Sequence, residues 1–200
     1  MVTFPGEQVN LHIFEPRYKQ LIQECAEQGT TFGISPFIDR KLMHLGTEME
    51  LLGIEKTYTN GEMDVKTRGV GIYKMEEFYS KVPNKLYGAA DIIQLEIDTE
   101  TDYFVNEQIM VFVAELFDVL NIRKPIPTID SDFNVYRLGH LVGFNIEQEY
   151  EFLTIRNEYE RQVFMLKHLE RLLPIVREMH RLQERARLNG HFKNITPPNV

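Results

Sequence analysis

Apolar and polar residues alternate near the start of the chain. Val9, Leu11 and Ile13 stand against Gln8, Asn10 and His12, the two-residue period of a half-buried strand. At Pro16 the period changes. Proline suits the first turn of a helix, where its missing N–H costs nothing, and Tyr18, Leu21, Ile22 and Cys25 follow at helical spacing with Gly29 just past the end. A strand therefore runs straight into a helix whose apolar stripe must pack on a sheet.

From residue 30 to about 100 the pattern predicts further strands: Phe32–Ile38, Met49–Tyr58, Met63–Thr67, Val70–Tyr79 and Leu86–Ile97, the last with Ile93, Leu95 and Ile97 alternating. Asn60-Gly61 is a hairpin signal because both residues tolerate positive φ. Many strands with one early helix predict a closed or partly open barrel-like sheet.

Beyond the polar turn at Asp98–Asp102 the period becomes helical. Ile109, Phe112, Val113, Leu116, Phe117 and Leu120 form one stripe, with Asn106 as the predicted N-cap. Pro125, Pro127 and residues 130–132 read as a loop, followed by a short helix ending at Gly143. Asn145 with Gln148 makes a capping box for the next helix. Asn157 with Glu160 repeats that signal for the longest one, whose stripe is Leu169, Leu172, Val176, Met179, Leu182 and Ala186. Unbroken, it would run about 48 Å at ~1.5 Å per residue, but Pro174 predicts a kink or break. The expected division is a β-rich unit over 1–103, a helical unit over 104–190 and a loose tail over 191–200.

At 200 residues and 43% hydrophobic content, the chain can bury a sizeable core. Its net charge of −8 argues against a general phosphate-backbone binder. The single cysteine, Cys25, lies on the first helix's apolar stripe, where it reads as a small buried hydrophobe. No apolar run approaches the ~20 residues of a membrane span, so a cytoplasmic protein with no membrane partner is expected.

The six histidines show no H-E-x-x-H or comparable pair, and no metal or cofactor is expected. His12, Glu15 and Arg17 form the most suggestive polar group. They read either as a small acid–base site or, preferably, as a helix-start charge with an ion pair. Phe78 and Tyr79, with Leu86 and Tyr87 across the Lys81–Lys85 loop, could grip exposed hydrophobic peptide, or could be cross-strand core pairs. The arginines of the last helix are interleaved with glutamates and read as a solvated, ion-paired face.

Phe4-Pro5-Gly6 followed by Leu11-His12-Ile13-Phe14-Glu15-Pro16-Arg17-Tyr18 resembles the N-terminal, substrate-binding domain of the ATP-dependent Lon proteases. Gly33, Gly46-Thr47, Asn60-Gly61 and Gly69-Val70-Gly71-Ile72-Tyr73 fall in the family's order, the last where the family usually has Gly-x-x-Arg-Phe. The resemblance covers most of residues 4–189. The family has a further apolar stretch before Phe-Pro-Gly where this chain has Met1-Val2-Thr3, so either the first strand is short or the true start lies upstream. The resemblance implies an α+β fold, a PUA-like β pseudo-barrel with one early helix followed by a helical bundle ending in a long helix.

The family's ATPase needs G-x-x-x-x-G-K-[ST], yet no glycine here precedes a lysine, and the Ser–Lys protease domain has no counterpart. The resemblance thus implies a non-catalytic, stand-alone polypeptide-binding module for unfolded or exposed segments. A separate protease or ATPase is an implied partner, and self-association through the last helix is expected from its apolar stripe. The alternatives are an RNA-binding PUA-like module, opposed by the acidic balance, and a small-molecule enzyme using His12, Glu15 and Arg17.

Overall fold

The computed structural model describes residues 1–191, with side chains to residue 187. Element order is β1 (Gln8–Ile13), α1 (Pro16–Gln28), β2 (Phe32–Ile34), β3 (Phe37–Ile38), β4 (Lys41–Leu42), β5 (Leu45–Thr57), β6 (Met63–Tyr79), β7 (Ala89–Leu95), α2 (Tyr103–Val119), a 3-10 turn (Val135–Leu138), α3 (Ile146–Thr154) and α4 (Glu158–His191). Among the described residues the fold is α+β, with a sheet-rich N-terminal part and four α-helices, the last one long.

The sheet is built around β6. Its first half pairs antiparallel with β1, from Gln8 opposite Arg68 to Ile13 opposite Met63. Further along the same edge it pairs with β7, from Ile72 opposite Leu95 to Tyr79 opposite Ala89. The other edge carries β5, and β2 lies outside β5. Three register shifts between β5 and β6 bend the ribbon, as bulges do.

Several expectations change here. Met63–Thr67 and Val70–Tyr79 are one strand, because Gly69 is a place of close approach and does not turn the chain. Its N–H donates to Glu7 O (2.9 Å), its carbonyl accepts from Gly6 N–H (2.8 Å), and any Cβ there would collide with the Phe4 carbonyl. Phe32–Ile38 divides into β2 and β3 at Ser35-Pro36, since proline has no N–H for a ladder. At Asn60-Gly61 only Gly61 has positive φ (76°). A turn from Tyr58 to Gly61 closes a three-residue loop, with Tyr58 N–H bonded to Glu62 O at 2.8 Å.

In the helical part the N-cap of α2 is Asp102, whose carboxylate accepts from Phe104 and Val105 N–H. Asn106 lies buried within the helix. The expected short helix is the 3-10 turn. Asn145 and Gln148 form the full capping box of α3, and Asn157 Oδ1 accepts from Glu160 N–H (2.9 Å) to cap α4. Pro174 sits inside α4 without ending it. The buried stripe of α4 is Met165, Leu169, Leu173 and Val176, with Leu172 half-buried. Met179, Leu182 and Ala186 lie in solvent, because the helix outruns the bundle. The tail expected over 191–200 lies, beyond His191, outside the described residues.

The main core joins both parts. Val2, Phe4 and Ile72 pack with residues of α2, the 3-10 turn, α3 and α4. A second cluster, Ile13, Ile22, Met63 and Val65, seats α1 on the sheet. Cys25 is buried on the same helix, and burial pushes its thiol up. Among the described residues no helix is long and apolar enough to cross a membrane.

Candidate functional site

The ends of β6 and β7 form a ribbon whose apolar side chains face solvent. Phe78 is 50% exposed, Ile92 45%, Ile93 46% and Leu86, in the connecting loop, 65%. Phe78 stands opposite Ala90 in the ladder, so strand alternation puts it on the face that also carries Ile92. Tyr79, opposite Ala89, donates its hydroxyl to Asp91 Oδ2 (2.8 Å). That bond, with a second to Glu77, pushes its pKa up to about 12, so the ring stays neutral. Among the described residues β7 pairs with β6 alone, which leaves the backbone groups of its other edge without a ladder partner.

The connecting loop is fastened to α1. Leu86 N–H donates to Gln20 Oε1 (2.8 Å), Gln20 Nε2 donates to Asn84 O (3.2 Å), and Lys85 Nζ meets Glu24 Oε2 at 2.5 Å. Tyr87 also gives its hydroxyl to Glu24, so it serves as part of the fastening and is half-buried. Lys85 and Tyr87 hold the Glu24 carboxyl below its usual range. Of the four residues singled out at this hairpin, Phe78, Tyr79 and Leu86 are open to solvent. Ile92 and Ile93, on the partner strand, join them; their place in an edge strand was not marked by sequence spacing.

His12, Glu15 and Arg17 are not one site. His12 Nδ1 meets Asp64 Oδ1 at 2.7 Å, directly across the β1–β6 ladder, and its Nε2 lies 3.3 Å from Glu62 Oε2. Asp64 raises the imidazole pKa, and Tyr58 holds the far Asp64 oxygen at 2.7 Å. Arg17 pairs locally with Glu15 (2.8 Å) and stacks over Tyr18. The group is solvent-exposed, and Phe14 beside His12 is 59% exposed. No group of three or more His, Cys, Asp or Glu that could hold a metal occurs among the described residues.

Gly33, Gly46, Thr47 and Gly69 lie at close contacts of the sheet. Gly33 and Gly46 flank the ring of Tyr73, whose hydroxyl meets Ser35 Oγ at 2.8 Å. Thr47 Oγ1 donates to Thr3 O (2.5 Å), and Gly69 seats the Phe4–Gly6 loop.

Two buried polar assemblies carry no sequence signature. Glu158 and Arg161, both essentially inaccessible, pair at 2.6 Å. Arg161 also donates to the carbonyls of Ile155 (2.6 Å) and Asp98 (3.0 Å) and lies over the Tyr136 ring, while Glu158 accepts from Val135 N–H (2.8 Å). Beside them Gln162 Nε2 reaches Asn106 Oδ1 (2.6 Å), Thr101 Oγ1 (2.8 Å) and Asp102 O (2.8 Å). With every partner satisfied, these groups lock the start of α4 to the end of the sheet. They hold a scaffold together.

The model of the ATP-dependent protease La (LON) substrate-binding domain matches residues 1–171. The crystal structure of a Lon N-terminal domain protein from Xanthomonas campestris superposes with a TM-score of 0.63 at 19% identity, over 83% of this chain and 92% of that one. The N-terminal domain of the Mycobacterium avium complex Lon protease gives 0.60 at 13% identity, over 84% and 92%. No curated protein matches the sequence. At such identities the two structures establish the shared fold, and the family match over residues 1–171 establishes membership: the chain belongs to the substrate-binding domain family of ATP-dependent protease La (LON).

Proposed function

We propose that this chain is a non-catalytic recognition module for unfolded or exposed polypeptide segments, which it takes at the β6–β7 hairpin. The observation that carries the reading is the conjunction there of Phe78, Leu86, Ile92 and Ile93 in solvent with a strand edge that has no ladder partner. An extended segment laid along β7 would complete its backbone hydrogen bonds while its apolar side chains cover these residues. Family membership supports the same reading, since the family is defined by substrate binding.

The curled sheet over residues 1–103 serves in this reading as a PUA-like platform and the helices after it as its support. A cytoplasmic setting, a separate ATPase or protease that receives the bound segment, and pairing of two copies through the solvent-facing end of α4 belong to the same proposal. Against RNA as the ligand stands the pairing of α4 arginines with carboxylates: Arg177 with Glu115, Arg181 with Glu178 and Arg187 with Glu184.

Fluorescence anisotropy with a reduced, alkylated and permanently unfolded polypeptide tests the proposal. The unfolded chain binds and its native counterpart does not, and Phe78→Ser with Leu86→Ser weakens binding by at least about fivefold, the scale of two lost apolar contacts. Equal binding of native and unfolded chains, or no binding at all, overturns it.

A further inference from the structure

A second concave surface lies where the sheet hands over to the helices, an open cleft of about 520 Å³ between the first turns of α2 and α4. Three aromatic rings on its walls are open to solvent: Phe104 is 78% exposed, Tyr103 56% and Tyr159 50%. Glu100 and Asp102 supply carboxylates, and no basic residue lines it. Two helix N-termini point here, and each carries a side-chain cap. Asp102 caps α2 through Phe104 and Val105 N–H, and Asn157 caps α4 while its Nδ2 is held by Asp98 (2.6 Å). Below the cleft, the bonds of Gln162 to Thr101, Asp102 and Asn106 fix the floor.

We infer that this cleft binds a basic side chain, arginine above all, of a polypeptide segment. Electron-rich ring faces attract a cation, guanidinium stacks on such faces, and nearby carboxylates add charge-assisted hydrogen bonds. The same rings and carboxylates repel a phosphate or a peptide carboxylate. Tyr103 stays neutral beside Glu107, which raises its phenol pKa. The inference rests on the reading of the chain as a polypeptide binder and adds to it a charge-selective anchor made from other elements than the hairpin.

The test uses two short fluorescent peptides, one alternating leucine with arginine, the other with neutral citrulline in place of each arginine. The full chain binds the arginine peptide at least about fivefold more tightly. Because the protein's net charge of −8 would favour any cationic peptide, the decisive variant is Phe104→Ala with Tyr159→Ala, which leaves charge unchanged. It loses the preference, and Glu100→Gln halves it or more. Phe78→Ser with Leu86→Ser weakens both peptides alike and keeps the preference. An arginine preference that survives in the aromatic variant, or no preference in the parent chain, overturns the cleft. A hairpin variant that binds both peptides as the parent does, alongside a preference lost only in the cleft variant, overturns the hairpin reading and leaves the cleft standing.

Discussion

The ring of Phe4 fills the space that a side chain at residue 139 would need: a Cβ built on Gly139 falls well inside van der Waals distance of three Phe4 ring atoms. Phe4 is wholly buried and packs against Tyr136 (5.3 Å between centroids), Phe152 (5.6 Å) and His140 (4.7 Å), so the loop before β1 is part of the helical core. Gly139→Ala should therefore lower stability by about 2 kcal/mol through overpacking, and Phe4→Ala by about 3–5 kcal/mol. Urea denaturation of both and of the double variant checks the relationship. The double variant should lose less than the two singles together, because removing the ring makes room for the methyl. Strict additivity would mean the two residues do not meet.

His140 ties the same loop to α3, with Nε2 at 3.2 Å from Glu7 Oε2 and Nδ1 at 2.7 Å from Glu149 Oε1. The Glu7 hydrogen bond first, and Glu149 with it, raise the imidazole pKa to about 9 against a burial penalty that lowers it. A raised folded-state pKa stabilises fully below the unfolded value of ~6.5, and that contribution disappears as pH rises through about 9. With 36% of the side chain exposed, solvent screening limits the effect to about 1–2 kcal/mol. Measured between about pH 6 and pH 10, the stability difference between the parent chain and His140→Gln should shrink as pH rises. A difference that stays constant would mean the ring is not charged at neutral pH.

The Glu158–Arg161 pair is buried, and burial is the main force pushing the Glu158 carboxyl up while Arg161 draws it down. Arg161→Met leaves Glu158 without its counter-charge and should cost about 3–5 kcal/mol. Glu158→Leu with Arg161→Met should recover part of this, but not all, since Val135 N–H and the Ile155 and Asp98 carbonyls lose their partners. Thermal denaturation of the parent chain, Arg161→Met and the double variant reads out the comparison. A double variant less stable than Arg161→Met alone would contradict the argument.

Local patterns carried the fold where they were self-contained. The alternation in β1, the stripe of α1 around Ile22 and Cys25, and the Asn145–Gln148 box depend only on neighbours, and each lies where its spacing puts it. Asn106 misled because asparagine favours caps, yet Asp102 four residues earlier had an unobstructed N-cap position and Gln162 waited for the amide. Met179 and Leu182 continue a helical stripe past the last element that could cover it, and no local signal says where a bundle ends. Glu158 and Arg161 sit at the i,i+3 spacing of ordinary surface pairs; Tyr136, the Val135 N–H and the Ile155 and Asp98 carbonyls make them a core. For the hairpin, sequence marked Phe78, Tyr79 and Leu86, but the free edge of β7 is a property of sheet order, which spacing does not encode.

The central claim is that polypeptide docks along the open side of the β6–β7 hairpin, and amide hydrogen exchange reads that side directly. With a permanently unfolded polypeptide bound, the amides of Ala89–Leu95 that point away from β6 should slow while those of α3 stay unchanged. Undiminished exchange along Ala89–Leu95 in a complex that demonstrably forms would contradict the account.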